Sequence, residues 1–254
     1  MGDARSAARY DGWAARELAV HLGLPAVHLF DEVGSALDVA HALARAGAPA
    51  GTLVLADRQT SGRGRGGRRW SSAAGQGIWL TLVERPNDAS AIEVLSLRLG
   101  LRAAAVLDRF ADAPVAVKWP NDLYVGGGKL AGVLVEARWR DAAPEWVAIG
   151  YGVNVLPPAD VEGATGLAPG TQRVEVLGEL VPVLRAAAAA RGELTARELA
   201  AFAARDLARG RACVAPAAGV VEGITESGAL LVATPGGRVA ARAGSLVFTG
   251  EGAA

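Results

Sequence analysis

The sequence predicts a mixed α/β domain over residues 26–210, preceded by a short helical extension (1–25) and followed by a small all-β module (211–254). Three observations carry this. Up to residue 209, strand-length apolar runs alternate irregularly with longer stretches of helical period. After Gly210 the texture changes to short apolar runs cut by "ESG" and "PGG" turns, the pattern of a small barrel of about five strands. A chain of 254 residues, 51% of them hydrophobic, is long enough to bury one large core and one small one.

In chain order, residues 13–22 and 36–46 place apolar side chains at helical spacing, while 26–33, 51–57 and 77–85 are strand-like. Residues 90–110 read as one long amphipathic helix with Ile92, Leu95, Leu99 and Val106 on one face. "VAVKW" (115–119) is a strand, and 122–137 a hairpin whose turn is supplied by Gly126, Gly127 and Gly128. Residues 145–155 form another strand. Residues 172–190 and 193–209 read as helices, and the alanine-rich run 185–191 suits the first of them.

Composition removes several classes of chemistry. A single cysteine, Cys213, excludes an intrachain disulfide and a cysteine-rich zinc site, so a cytoplasmic location is expected. All three histidines lie at or before position 41, which leaves histidine-dependent catalysis little to work with. No apolar run reaches the roughly 20 residues of a membrane helix, and no secretory signal is visible. Met1-Gly2 with Ser6 matches the loose myristoylation pattern, which is short enough to arise by chance.

The 26 basic and 26 acidic residues cancel, yet "GRGRGGRR" (62–69) puts four arginines among four glycines. Gly62, Gly64 and Gly67 match a dinucleotide fingerprint formally, but no helix opens after the third glycine to hold a pyrophosphate. The "GGGK" ending at Lys129 lacks both the first glycine and the following hydroxyl of a P-loop. An RNA-binding Arg-Gly segment would be repeated and set in a basic chain, and neither holds. A solvated surface loop would more often carry lysine and glutamate. The remaining reading is an anion cradle, in which glycine lets backbone N–H groups approach and arginine offers planar bidentate donors. Trp70, just beyond, can cover a flat ligand or fill the core. A second cluster agrees: Lys118, Asn121, Asp122 and Lys129 put cations, an amide and a carboxylate at strand ends, and Asn154 ends another strand.

Taken in order, "EVGS" (32–35), "ADRQTSGRGRGGRRW" (56–70), "KWPNDLYVGGGKLAGVLVE" (118–136), "GYGVNV" (150–155) and "ATGL" (164–167) resemble the biotin–protein ligases. The C-terminal "GVVEGITESGALLV" and "RAGSLV" resemble the SH3-like domain that closes those enzymes. The resemblance implies a mixed-sheet catalytic fold related to class II aminoacyl-tRNA synthetases and lipoate ligases. It also implies ATP-dependent formation of biotinoyl-5′-AMP, then transfer of biotin to a lysine of a biotin carboxyl carrier domain. A biotin carboxylate is already ionised at neutral pH, so fixed cations and Mg²⁺ can support its attack without a general base.

By motif position, Ser35 and Gln59 would bind the ureido ring, and Gly62 and Arg63 the carboxylate and phosphate side. Arg65 and its loop would retain the adenylate, while Lys129 would bridge carboxylate and α-phosphate. Arg68, Lys118, Asn121 and Asn154 match positions near the phosphates, and Trp70 near the adenine or the loop. For Asp122 three roles stay open: orienting a lysine, binding Mg²⁺, or helping to deprotonate the acceptor lysine. Mg²⁺ would be held mainly by ATP, with Asn121 and Asp122 as the nearest protein groups. Only about 25 residues precede the first core strand, so the ligase-only form without a DNA-binding domain is expected. Relatives usually read Ser-Thr-Asn where this chain has Ser35-Ala36-Leu37, which predicts somewhat weaker biotin binding unless Thr60, Ser61 or a water substitutes. The rivals are a lipoate ligase of the same fold and a nucleic-acid-binding module using the Arg-Gly loop.

Overall fold

The computed structural model describes residues 4–86 and 88–250; Met1 and Gly2 of the myristoylation pattern lie outside them. The elements run β1 (Arg5–Ser6), β2 (Arg9–Tyr10), β3 (Trp13–Ala14), α1 (Ala15–Leu22), β4 (Ala26–Val33), α2 (Ala36–Arg45), β5 (Thr52–Gln59) and β6 (Gly77–Glu84). Then follow α3 (Ser90–Glu93), α4 (Leu95–Leu107), β7 (Ala116–Lys118), β8 (Asp122–Val125), β9 (Gly128–Arg140), β10 (Ala143–Asn154), α5 (Arg173–Ala188) and α6 (Ala196–Ala203). The last five strands are β11 (Ala212–Ala215), β12 (Gly219–Ile224), β13 (Leu230–Thr234), β14 (Gly237–Ala241) and β15 (Val247–Phe248).

Eight strands form one mixed sheet in the order β1-β4-β5-β6-β10-β9-β8-β7. Among the strands of the described residues, β4 and β5 alone pair in parallel. One face is covered by α1, α4 and α5 over the main core, in which Leu53, Leu82, Leu99, Val153 and Leu180 are fully buried. On the other face α2 packs Ala36, Ala40 and Ala44 against Val54, Val83 and Trp146. Those alanines bring the helix close to the sheet, and the site lies beside it on that face.

Three expectations are revised. The helix expected over 90–110 breaks at the buried Val94 and ends in a 3-10 turn at Asp108–Phe110. Its longer part, α4, is apolar on most sides because it lies between the sheet and other helices. Leu95 and Leu99 are buried as expected, and so is Arg98, while Ile92 and Val106 are only half-buried. Of the helix expected over 193–209, only α6 forms, started by Thr195 and Glu198 in a reciprocal cap. The chain beyond it instead covers the edge of β7, where Val117 N–H donates to Arg205 O and Leu207 N–H to Val117 O. The N-terminal stretch is also more than helical, since β1 extends the main sheet beside β4.

The C-terminal strands form an antiparallel five-stranded sheet in the order β14-β13-β12-β11-β15, consistent with an SH3-like domain. It is tied to the main body by Trp119 Nε1, which donates to Gly228 O at 3.0 Å. No helix among the described residues is long and apolar enough to cross a membrane.

Candidate active site

The floor of the site is made of glycine. On the α2 face of the sheet, Gly132 of β9 pairs with Gly152 of β10, and Gly150 lies two residues back along β10. A Cβ at Gly152 would lie 2.6 Å from Trp70 Nε1, one at Gly132 3.0 Å from the same ring, and one at Gly150 3.1 Å from Leu37. Their missing side chains leave a channel in which Trp70 lies edge-on to Trp79, with ring centroids 6.5 Å apart. Trp70 Nε1 is buried and makes no hydrogen bond.

The expected glycine hairpin positions Lys129. Gly126 and Gly127 take positive φ (56° and 85°), the left-handed pair a two-residue turn requires. A bulge between Leu123 and Tyr124 then pairs Asp122 with Gly132, so that Lys129 returns beside it. Lys129 Nζ lies 2.8 Å from Asp122 Oδ1 and 5.1 Å from the Trp70 ring centroid. The Asp122 oxygen is buried and outside hydrogen-bond geometry, so the attraction is coulombic. The backbone of Lys129 is pinned: its N–H donates to Gly163 O, and its carbonyl accepts from Thr165 N–H. Asn154 Nδ2 donates to that carbonyl at 3.2 Å, so Asn154 holds Lys129 instead of lining the cavity.

The arginine loop closes on itself as a small hairpin, with Gly64 N–H donating to Arg68 O and Trp70 N–H to Gly62 O. Gly62 cannot be replaced cheaply, because a Cβ there would meet Trp70 O at 2.5 Å. Each arginine finds a different acceptor, which relieves their mutual repulsion. Arg63 pairs with Asp38 at 2.9 Å and Glu136 at 3.2 Å. Arg65 donates to Asn121 Oδ1 at 3.2 Å and to Gly244 O at 3.4 Å. Arg68 donates to Ser245 Oγ at 2.9 Å and Arg69 to Thr60 O at 2.9 Å. Burial pushes the Arg65 guanidinium below its usual range, opposed by the nearby Asp122 carboxylate and reinforced by Arg68.

Together these residues enclose a cavity of about 130 Å³. Arg63, Arg65, Arg68, Arg69 and Lys129 line it against one carboxylate, Asp122, so it is built for an anion. Gln59 lines it too, although Gln59 Oε1 accepts from Ala36 N–H at 2.9 Å and Nε2 donates to Ser72 Oγ at 2.9 Å. Each end of that amide retains one further hydrogen-bonding site. Ser35 Oγ is buried without a partner and lies outside the cavity wall. Lys118 also lies outside it, its ammonium 4.7 Å from the ring centroid of Phe248 and 5.5 Å from that of Tyr124.

The motifs missed several contributors. Leu37 and Thr81 line the cavity, and Glu136 with His41 braces Arg63. Trp146 Nε1 donates to His41 Nδ1 at 2.9 Å, which leaves His41 Nε2 to donate to Glu136 at 2.8 Å. Neutral His41 therefore joins α2, β10 and β9 to the loop. Nothing local in the sequence marks that link, because the register of β9 against β10 and the packing of α2 over them create it.

A mixed sheet of this order, carrying a glycine-floored cavity rimmed by arginines, defines a scaffold of the biotin and lipoate ligase type. The Biotin/lipoate A/B protein ligase family profile matches residues 39–154. The biotin--[acetyl-CoA-carboxylase] ligase of Paracoccus denitrificans is 36% identical over 222 residues, covering 78% of this chain and 90% of that protein. The bifunctional ligase/repressor BirA of Bacillus spizizenii is 38% identical over 131 residues, 51% of this chain but only 40% of that longer protein. In fold, the chain is similar to the biotin protein ligase from Aquifex aeolicus in complex with biotin and ATP, with a TM-score of 0.71 and 24% identity over 88% of this chain and 98% of that one. The chain belongs to the biotin–protein ligase family.

Proposed function

We propose that the protein joins biotin to ATP as biotinoyl-5′-AMP, releasing pyrophosphate, and passes the biotinoyl group to a lysine of a biotin carboxyl carrier domain. The observation that carries this is the convergence of Lys129, Asp122 and the arginine loop over a glycine floor. Lys129, on its pinned backbone, bridges the biotin carboxylate and the α-phosphate while one oxygen of that carboxylate attacks phosphorus. Arg63, Arg65 and Arg68 exchange their present acceptors for the ligand's anionic groups, and Gly62 lets the backbone approach. The spare sites on Gln59, with Ser35 behind it, serve the ureido ring, and Trp70 covers the ligand. In the second step the acceptor amine attacks the acyl carbon and AMP leaves with the bonding electrons.

Asp122 keeps Lys129 aimed while the cavity is empty, and among the residues lining the cavity it is the carboxylate at hand for Mg²⁺. A single carboxylate with substrate phosphates fits Mg²⁺, which supplies charge neutralisation at the phosphates when bound. Asn121 holds Arg65 and Asn154 holds Lys129, so both act through another residue. Lys118 stands close to the C-terminal sheet and serves the phosphates from the rim. A domain boundary near residue 210 and a cytoplasmic location belong to the same reading. The test is incubation with labelled biotin, MgATP and a carrier domain. Labelled carrier with released pyrophosphate is expected. Label transferred from lipoate but not from biotin would refute the substrate.

A further inference from the structure

A second cationic hollow lies on the other side of the sheet. Gly100 of α4 faces Leu123 and Val117, which point away from the Asp122 side because neighbouring strand residues alternate. Between α4 and α6 a groove of about 490 Å³ is lined by Arg98, Arg102, Arg191, Arg197 and Arg205, with Glu198 among them. Its size falls within the roughly 300–1,000 Å³ of small-molecule sites.

The carboxylates present do not account for these arginines. Glu198 is committed to Arg98 at 2.7 Å and reaches Arg102 only at 3.7 Å. Asp108, behind the groove wall, is committed to Arg205 at 2.6 Å. Among the described residues, Arg191 and Arg197 have no ion partner. Arg98 is 1% exposed. Its Nε and Nη2 bond Glu198 and the Glu193 carbonyl, yet its Nη1 is buried without an acceptor. A buried donor left unbonded is costly, as is crowding guanidiniums on one wall. A bound oxyanion removes both costs. A purely structural Arg98–Glu198 lock would explain neither the spare donor nor the surplus of arginines around it.

We propose that this groove is a second ligand site, for a small oxyanion bearing at least two charged groups, either phosphoryl or polycarboxylate. Arginine's fork suits both chemistries.

The test is calorimetry with pyrophosphate and, separately, citrate on the full chain, comparing wild type with two double variants. R191Q/R197Q alters only exposed side chains outside the catalytic cavity. R65Q/R68Q alters the cavity. At least one of the two anions should bind wild type and R65Q/R68Q alike, and bind R191Q/R197Q about tenfold or more weaker, the effect of losing one or more charge-assisted contacts. Biotinylation by R191Q/R197Q should match wild type. A preference between the anions separates phosphoryl from carboxylate ligands. Binding unchanged in R191Q/R197Q, binding abolished by R65Q/R68Q alone, or no heat from either anion would each overturn the proposal.

Discussion

Lys129 has its backbone held by Gly163, Thr165 and Asn154, so removing its side chain changes charge with little change in fold. Lys129→Ala is expected to slow adenylate formation roughly 10²-fold, the usual loss for one preorganised donor, with an unchanged melting temperature. Pyrophosphate release in a single turnover measures it. Ala36 has the opposite character. It is 2% exposed and packs with Val54, Val83 and Trp146, while its N–H is held by Gln59. A threonine would bury a hydroxyl and extra volume here. Ala36→Thr should therefore cost about 1–3 kcal/mol of stability without tightening biotin, read by urea unfolding and calorimetry. Sequence motifs singled out Lys129, which follows a three-glycine turn. They could not foresee that Ala36 faces an apolar cluster and that Leu37 lines the cavity, since helix phase against a sheet is set by packing.

The arginine loop is a hydrogen-bonded hairpin whose arginines reach separate acceptors. Binding an anion requires Arg63 to leave Asp38 and Glu136, a half-exposed pair worth little on its own. Limited trypsin cleavage after Arg63, Arg65, Arg68 or Arg69 should slow several-fold when biotin and ATP are added together. Equal cleavage with and without ligands would show that the loop does not retain them. Between helices, the Arg98–Glu198 contact locks α4 to α6. Burial alone would raise the Glu198 carboxyl, but hydrogen bonds from Arg98 and Thr195 outweigh it and hold the group at about 2 instead of 4.5. A folded-state value below the unfolded one means the stabilisation is complete above pH 4.5 and drains away as pH falls toward 2. The stability gap between wild type and Glu198→Gln should shrink across that window in acid-dependent urea titrations. The break at Val94 escaped the periodicity because burial on several sides erases a helical stripe, and the shortness of α6 because the chain beyond it pairs with the edge of β7.

At the scale of the molecule, equal numbers of acidic and basic residues conceal two arginine-lined hollows on opposite faces of one sheet. The irregular helix–strand alternation and the change of texture at Gly210 were legible because both are local properties of the chain. Contacts between the small C-terminal sheet and the rest were not, because they join segments far apart in sequence. Gly228 is one of them: it adopts φ +78° and a Cβ there would lie 2.9 Å from Leu97 Cδ1. Gly228→Ala should cost about 1–3 kcal/mol through backbone strain and crowding, seen as a lower Tm. Catalysis in the cold should suffer less than stability, because Gly228 touches the helix side and not the cavity.

The reach of Arg65 to the Gly244 carbonyl, 179 residues further along, also has a consequence for the newborn chain. Ribosomes add roughly 5–20 residues per second, so the loop emerges about ten to forty seconds before the segment between β14 and β15 that braces it. Through that interval the arginines are exposed to any polyanion nearby, including the ribosome's own RNA. Asp38 and Glu136 can occupy only Arg63, a pairing the finished fold retains, so Arg65 and Arg68 are the ones that wait for Gly244 and Ser245.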